Sequence, residues 1–271
     1  MKNNVRIGTV VMQSILQETS KNIETMLYYI QEAHLSDVQI LCFPEMNITG
    51  YCNKDAITHI AETIPGPSSD QILEYAKQYN ITILAGLAEK KNKDTFYITH
   101  FVASPDKQLG VYRKLYLGPP EKKIYNCGNE VPIFNGPDGV CFGIQLCYDA
   151  HFPELTTLMN SSGAEVIFIP HASPHGTSEQ KFNSWMRHLP ARAYDNSLFV
   201  VACNALGENC AGLTFPGVSM ALDPSGNILT KVLTEKSHLM IVDLKASDLE
   251  YVRNHEMRYF FPNRRKDISP Q

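Results

Sequence analysis

Three residues with mutually useful chemistry stand far apart in this 271-residue chain: Glu45, Lys114 and Cys147. A free thiol has a pKa of about 8.5, so at neutral pH it needs a base or a cation beside it to act as a nucleophile, and the chain offers one of each. Each residue falls at the end of a predicted strand. In Gly143-Ile144-Gln145-Leu146-Cys147-Tyr148-Asp149-Ala150-His151-Phe152-Pro153-Glu154, residues 140, 142, 144 and 146 are apolar on one face, residues 141, 143, 145 and 147 occupy the other, and the pattern breaks at Asp149 and Pro153. Cys147 is therefore expected to end a strand and to precede a turn whose backbone N–H groups can be aimed at a substrate oxygen. Glu45 follows the short apolar run 38–43, at the carboxyl end of a β-α-β unit, where open α/β sheets place their sites. Lys114 closes the run 108–115. Taken singly, each has an ordinary alternative, as a buried structural thiol, a solvent-facing glutamate and a solvated lysine.

The elements that must carry these residues can be read from periodicity. Residues 5–11 form the first strand, and Ile23, Met26, Leu27, Ile30 and His34 mark an amphipathic helix over 20–36. Ser68-Ser69-Asp70-Gln71 has capping-box spacing for a helix to about Tyr79, and 81–88 is the next strand. Residues 96–103 and 108–115 read as a hairpin around Ser104-Pro105-Asp106-Lys107, followed by a loop over 117–128 rich in proline and glycine. A helix over 153–162 starts on a first-turn proline, and 165–170 is a strand. Thr177-Ser178-Glu179-Gln180 opens a helix that Pro190 is expected to kink or end before Asn196. Strands at 198–204, 218–223 and 239–244 complete the pattern, with a turn at 224–227. The mixture of β-α units and hairpins in one run predicts an α/β fold of mixed sheets flanked by helices.

With 44% hydrophobic residues the chain can bury a sizeable core, and a single domain over 1–271 is expected, with 253–271 as a C-terminal tail suited to packing on a neighbouring subunit. No run of about 18 apolar residues is present, and the N-terminus enters the first strand without a signal-like apolar region, so no membrane partner and a cytoplasmic location are expected. The seven cysteines form no CxxC pair and are read as reduced thiols. A net charge of −4 argues against nucleic acid, and Arg264-Arg265-Lys266 reads as a solvated tail or subunit contact. His171 and His175 have helical metal-ligand spacing, but Pro174 lies between them and no third ligand follows, so no metal is expected.

Phe43-Pro44-Glu45 before a Thr-Gly-Tyr turn, Tyr112-Arg113-Lys114-Leu115-Tyr116-Leu117, and Leu146-Cys147-Tyr148-Asp149 with Phe152-Pro153-Glu154 resemble the three signatures of the nitrilase (carbon–nitrogen hydrolase) superfamily, in the right order. The resemblance extends through Leu189-Pro190-Ala191-Arg192-Ala193, Asn196, Asn204 and Phe215-Pro216-Gly217-Val218-Ser219 to Asp223-Pro224-Ser225-Gly226, nearly the whole chain. It implies an α-β-β-α sandwich, assembly as a homodimer or larger homo-oligomer, and a Glu-Lys-Cys triad that needs neither metal nor organic cofactor. Carried over by position, Glu45 would be the general base and acid, Lys114 the oxyanion stabiliser and Cys147 the nucleophile. Glu121 would orient Lys114 and the substrate nitrogen, although Pro119-Pro120 and Asn126-Cys127 are not its usual surroundings. His151 stands where many family amidases carry an arginine or tryptophan that helps choose the substrate. Asp149 resembles the amidase and carbamoylase branches, since true nitrilases typically have glutamate there.

The function expected from these residues is hydrolysis of a linear non-peptide C–N bond, in a small carboxamide or an N-carbamoyl amine, with water as co-substrate and a thioester on Cys147 as intermediate. The alternatives are a true nitrilase converting a nitrile to an acid, and a non-catalytic binding member of the same fold. Asn47, Tyr51, His151, His175 and Trp185 are candidate substrate-pocket residues by position, and Tyr148 offers its backbone N–H to the oxyanion.

Overall fold

The computed structural model describes residues 1–265. The first half of the chain runs β1 (Val5–Val11), α1 (Thr19–Leu35), β2 (Ile40–Cys42), α2 (Pro67–Tyr79), β3 (Thr82–Asn92), β4 (Thr95–Ala103) and β5 (Leu109–Arg113). The second half follows with β6 (Phe134–Asn135), β7 (Cys141–Ile144), α3 (Pro153–Ser161), β8 (Val166–His171), α4 (Ser178–Trp185), α5 (Leu189–Asn196) and β9 (Phe199–Asn204). A short ribbon of β10 (Gly207–Glu208) and β11 (Thr214–Phe215) leads to β12 (Gly217–Leu222) and β13 (Ile228–Thr234), before β14 (His238–Leu244) and α6 (Ala246–Arg253).

Two six-stranded sheets result, in the orders β14-β1-β2-β3-β4-β5 and β13-β12-β9-β8-β7-β6. Each has a parallel core, β1-β2-β3 or β7-β8-β9, joined by helical crossovers and extended by antiparallel strands. The β4–β5 pair is the expected hairpin, with Thr99 opposite Arg113. Strand β14 returns to pair with β1, Leu244 opposite Val5, so the second half closes onto the first.

Side-chain alternation sets the layers. Val5 and Ile7 of β1 point between the sheets, into one core with Phe142, Ile144, Val166 and Phe168 of the other sheet. Val10 points the opposite way, against Ile23, Met26 and Ile30 of α1 and Ile72 of α2. Leu155, Met159, Leu189 and Ala193 bring α3 and α5 against the outer face of the second sheet. At roughly 1.5–3 kcal/mol for each fully buried aliphatic side chain, both faces of each sheet are needed to hold it. Between the sheets, the hydroxyls of Thr9 and Ser219 hydrogen-bond at 2.5 Å, satisfying two buried polar groups at once. The layers run α-β-β-α, the sandwich that the sequence implied.

The departures from the sequence reading have local causes. Strand β13 is an edge strand with Ile228, Leu229 and Leu233 partly exposed, so it lacks a clean apolar signal. Helix α6 buries only Leu249 and Val252. Pro190 does not end the α4 helix, which has already stopped at Trp185; it sits in the first turn of α5, where its missing N–H costs nothing. In the tail, Arg264 Nη1 donates to Thr157 Oγ1 at 2.9 Å and the Phe260 ring lies 5.3 Å from Tyr194, so these two residues contact this chain's own α3 and α5. The rest of the tail, 266–271, lies outside the described residues. Among the described residues no helix is long and apolar enough to cross a membrane.

Candidate active site

Glu45 follows β2 in a turn held by its neighbours' polar groups. Gly86 N–H donates to Asn47 Oδ1 at 2.8 Å, Ile48 N–H to Gly86 O at 2.9 Å, and Ala88 N–H to Thr49 Oγ1 at 3.1 Å, fastening the turn along β3. Asn47, a pocket candidate by position, is thus fully buried and spends its amide on Gly86 and Met26 as a brace for Glu45. Lys114 is one residue beyond β5, its N–H on Ile98 O and its carbonyl accepting from Gly128 N–H at 2.8 Å. That contact explains Gly128, where a Cβ would stand 2.4 Å from Arg113 O. The loop after Lys114 bends through a short helical turn at Glu121–Lys123, which brings Glu121 back beneath the lysine.

Cys147 does not end a strand. Strand β7 stops at Ile144, and Cys147 opens a 3-10 turn (Cys147–His151) with φ of 45°. The cause is Asp149, a fully buried carboxylate that accepts from Leu146 N–H at 2.9 Å, Tyr116 N–H at 2.8 Å and Tyr112 Oη at 2.6 Å. The turn therefore hangs from the β5 segment that carries Lys114. The first N–H groups of such a turn have no partner within it, which leaves backbone donors beside the thiol.

The fold brings Glu45, Lys114 and Glu121 into contact. Lys114 Nζ donates to Glu45 Oε1 at 2.7 Å and to Glu121 Oε1 at 2.8 Å, all three groups being buried. Glu45 Oε2 accepts from Ala172 N–H at 2.9 Å, just past β8, and Glu121 accepts from Gly118 N–H at 2.7 Å and Tyr51 Oη at 2.9 Å. Burial pushes the Glu45 carboxyl up to about 7, against the pull of Lys114. Burial alone would lower the Lys114 ammonium, but Glu45 and Glu121 outweigh it and hold it above the ordinary lysine range. Burial and then the field of Glu45 raise the Cys147 thiol, while Lys114 opposes them. Cys147 thus rests as a neutral thiol within the field of a carboxyl of near-neutral pKa, a pair whose chemistry suits proton transfer.

The remaining candidates fall in different places. Tyr51 touches the cluster through Glu121 and packs its ring 6.2 Å from Phe215. Tyr148 and His151 lie in the cysteine turn, their rings 5.6 Å apart, and His151 stacks on His188 at 4.6 Å. Burial and Arg192 lower the His151 imidazole, so it is neutral at neutral pH. Trp185 is buried with its ring 4.4 Å from His171. His175 is exposed on the loop after β8, its N–H on Thr214 O. His171 lies on β8 itself, so the two histidines share no helix. Sequence reasoning missed Lys181, whose field acts on Cys147, and the Ala172 N–H; neither carries a spacing signal.

A family model described as carbon–nitrogen hydrolase matches residues 6–254. A 2-oxoglutaramate amidase from Bacillus subtilis is 31% identical over 254 residues, 92% of this chain and 93% of that protein. A probable nitrilase from Schizosaccharomyces pombe is 28% identical over 274 residues, 99% of this chain and 97% of that protein. In fold, the chain is similar to the crystal structure of an amidase from Nesterenkonia sp., with a TM-score of 0.81 and 22% identity over 94% of this chain and 95% of that one.

Proposed function

This chain belongs to the carbon–nitrogen hydrolase family, and from that premise we propose that it hydrolyses a small linear carboxamide through a thioester on Cys147. The observation that carries this reading is the Lys114 ammonium held between Glu45 and Glu121 beside the cysteine turn. Glu45, as carboxylate, takes the thiol proton while sulfur attacks the carbonyl carbon. The oxyanion is held by the remaining N–H of Lys114 and the backbone N–H of Tyr148. Glu45 then gives its proton to the departing nitrogen, ammonia leaves, and the same carboxylate activates the water that cleaves the thioester. Glu121 keeps Lys114 aimed, and its link to Tyr51 places it where an amide nitrogen would lie.

The amidase names of relatives such as the Bacillus subtilis protein support a carboxamide over an N-carbamoyl amine or a nitrile. The exposed apolar residues Leu158, Tyr194 and Phe260 on the face of α3 and α5 support pairing with a second copy of this single-domain chain. The experiment is release of ammonia and carbon dioxide from carboxamides, N-carbamoyl amines and nitriles, beside Cys147→Ala. Ammonia alone from carboxamides, abolished in the variant, is the expected result. Carbon dioxide with ammonia would make the protein a carbamoylase, acid from nitriles a nitrilase, and turnover that survives in Cys147→Ala would remove the cysteine from the mechanism.

A further inference from the structure

Asn204 ends β9 opposite His171, the last residue of β8, and is fully buried. The two strands stop at this pair, yet one side chain carries the ladder a step further. Ser173 N–H donates to Asn204 Oδ1 at 2.8 Å, and Asn204 Nδ2 donates back to Ser173 O at 3.1 Å, so the amide stands in for backbone that β9 no longer supplies. Its second N–H goes to Pro216 O at 2.8 Å. Both donors and the acceptor of one buried amide are thus spent on main chain.

What this clamp holds lies one residue upstream. Ala172 N–H donates to Glu45 Oε2 at 2.9 Å, whereas Lys114 takes Glu45 Oε1. The peptide unit that carries this N–H is pinned at its other end, because His171 O accepts from Ala205 N–H at 3.1 Å. Ala205 N–H, the His171–Ala172 peptide and the Glu45 carboxylate therefore form a head-to-tail row of hydrogen bonds in a buried site, where each bond polarises the next. On its far side the row depends on Ser173. Lys181 Nζ reaches only Ser173 Oγ and Pro174 O, through a flexible stem, and leaves the Ser173 backbone to Asn204.

We propose that Asn204 is a positioning residue for the general base: by clamping Ser173 it keeps the Ala172 N–H on Glu45 Oε2, and so holds that carboxylate aimed and ionised for its work on Cys147. This rests on the reading of Glu45 as the base of an amide hydrolase. The other charged and titratable groups around Glu45 come from separate elements: Lys114 just past β5, Glu121 and Tyr125 from the turn that follows, Tyr51 from beyond the Glu45 turn, and Cys147. Burial raises the Glu45 carboxyl, Lys114 lowers it, Glu121 raises it again and the Ala172 N–H lowers it further. Substitution at 204 leaves every one of those side chains present and acts on the N–H.

The test follows alkylation of Cys147 by iodoacetamide against pH, read by mass spectrometry of the Cys147 peptide, beside kcat/KM for butyramide. In the wild-type protein both should rise through the Glu45 limb at about 7. In Asn204→Ala the limb should move up by about one pH unit, so that the ratio of the rate at pH 6 to that at pH 9 falls about tenfold. Asn204→Ser, whose hydroxyl is too short to bridge Ser173 and Pro216, should shift it in the same direction and serves if the alanine variant does not fold. Asn160→Ala is the structural control. Asn160 Nδ2 donates to Asn196 O at 2.8 Å between α3 and α5, so its loss should lower the melting temperature and leave the limb at about 7. A limb that stays in place in a folded Asn204 variant, with only the melting temperature lowered, would overturn the assignment and leave the amide hydrolase reading standing. An equal shift in Asn160→Ala would also overturn it, since general loosening would then suffice. If butyramide and other carboxamides are not cleaved but the alkylation limb still shifts in the Asn204 variants, the amide reading falls and the positioning of Glu45 by Asn204 stands. Wild-type alkylation that is independent of pH from 5 to 8 would remove Glu45 as the base, and this inference with it.

Discussion

Tyr112 and Asp149, 37 residues apart and both fully buried, share a 2.6 Å hydrogen bond that ties the last turn of β5 to the turn carrying Cys147. Because Lys114 is two residues after Tyr112, this one bond couples Lys114 to the Cys147 turn through the hairpin rather than through solvent. Burial pushes the Asp149 carboxyl up to about 6, against Lys114 and the hydrogen bonds it accepts.

That coupling can be cut in two degrees. Tyr112→Phe removes one donor and should cost about 1–2 kcal/mol of stability, whereas Asp149→Asn turns an amine group toward donors that need an acceptor and should cost about 2–4 kcal/mol. Urea midpoints measure both. Turnover should fall further in Asp149→Asn than in Tyr112→Phe, and an active, fully stable Asp149→Asn would show that the backbone alone shapes the cysteine turn.

The pH dependence follows from Glu45. In its proposed role of general base it must be ionised, and burial pushes its carboxyl up to about 7, so kcat/KM should rise with pH through about 7 and then level. No descending limb should appear in the ordinary thiol range, because burial and Glu45 hold the Cys147 thiol above it. Glu45→Gln should lower kcat by about 10²–10⁴ and erase the ascending limb. A profile flat from pH 5 to 9 would assign the proton transfer elsewhere.

Much of this site was legible because its residues sit where strands end and where apolar runs give way to turns. Lys114 falls one residue and Glu45 three residues past such ends. Cys147 misled in detail: residues 145 and 146 continue the alternation and Gln145 N–H still bonds Phe168 O of β8, yet Asp149 draws Leu146 N–H into the turn, a tertiary override that alternation cannot register. Asn47 was a pocket candidate on position alone, and its amide is taken up by the Gly86 N–H of β3 and by Met26 Sδ. Lys181 was invisible, since a lysine in a short helix carries no pattern, and only the path of α4 over β8 brings it to Ser173.

Replacing Lys114 by methionine removes the charge that two buried carboxylates share. Burial and Glu121 already raise Glu45, and without the cation its folded-state pKa should climb beyond the about 7 it has in the intact cluster. A carboxyl whose folded pKa exceeds its unfolded value of about 4.3 gives stability that is full below that value and lost as pH rises through the folded one. Lys114→Met should therefore be near wild-type stability at pH about 4–5 and about 3–5 kcal/mol less stable above pH 7. Thermal unfolding at both ends of that window checks it, and a deficit independent of pH would point to packing as the cause.

Gly86 bears on the site from behind. A Cβ there would stand 2.6 Å from Met46 N and 2.7 Å from His100 Nδ1, and Met46 is the residue after Glu45. The backbone nitrogen cannot swing aside as a side-chain tip would, so Gly86→Ala must displace the Glu45 turn from β3. Overpacking of this kind costs about 1–3 kcal/mol, and a shift of about 1 Å in a proton-transfer group costs about 10²-fold in rate. Gly139 is the contrasting position, with φ of +74° and nothing near its Cβ direction, so Gly139→Ala should lose only the backbone strain of about 1 kcal/mol and keep its turnover. The pair separates local fit from general destabilisation: measured as kcat at a temperature where both variants remain folded, only Gly86→Ala should slow, and equal turnover would mean that the Glu45 turn can yield without moving its carboxylate.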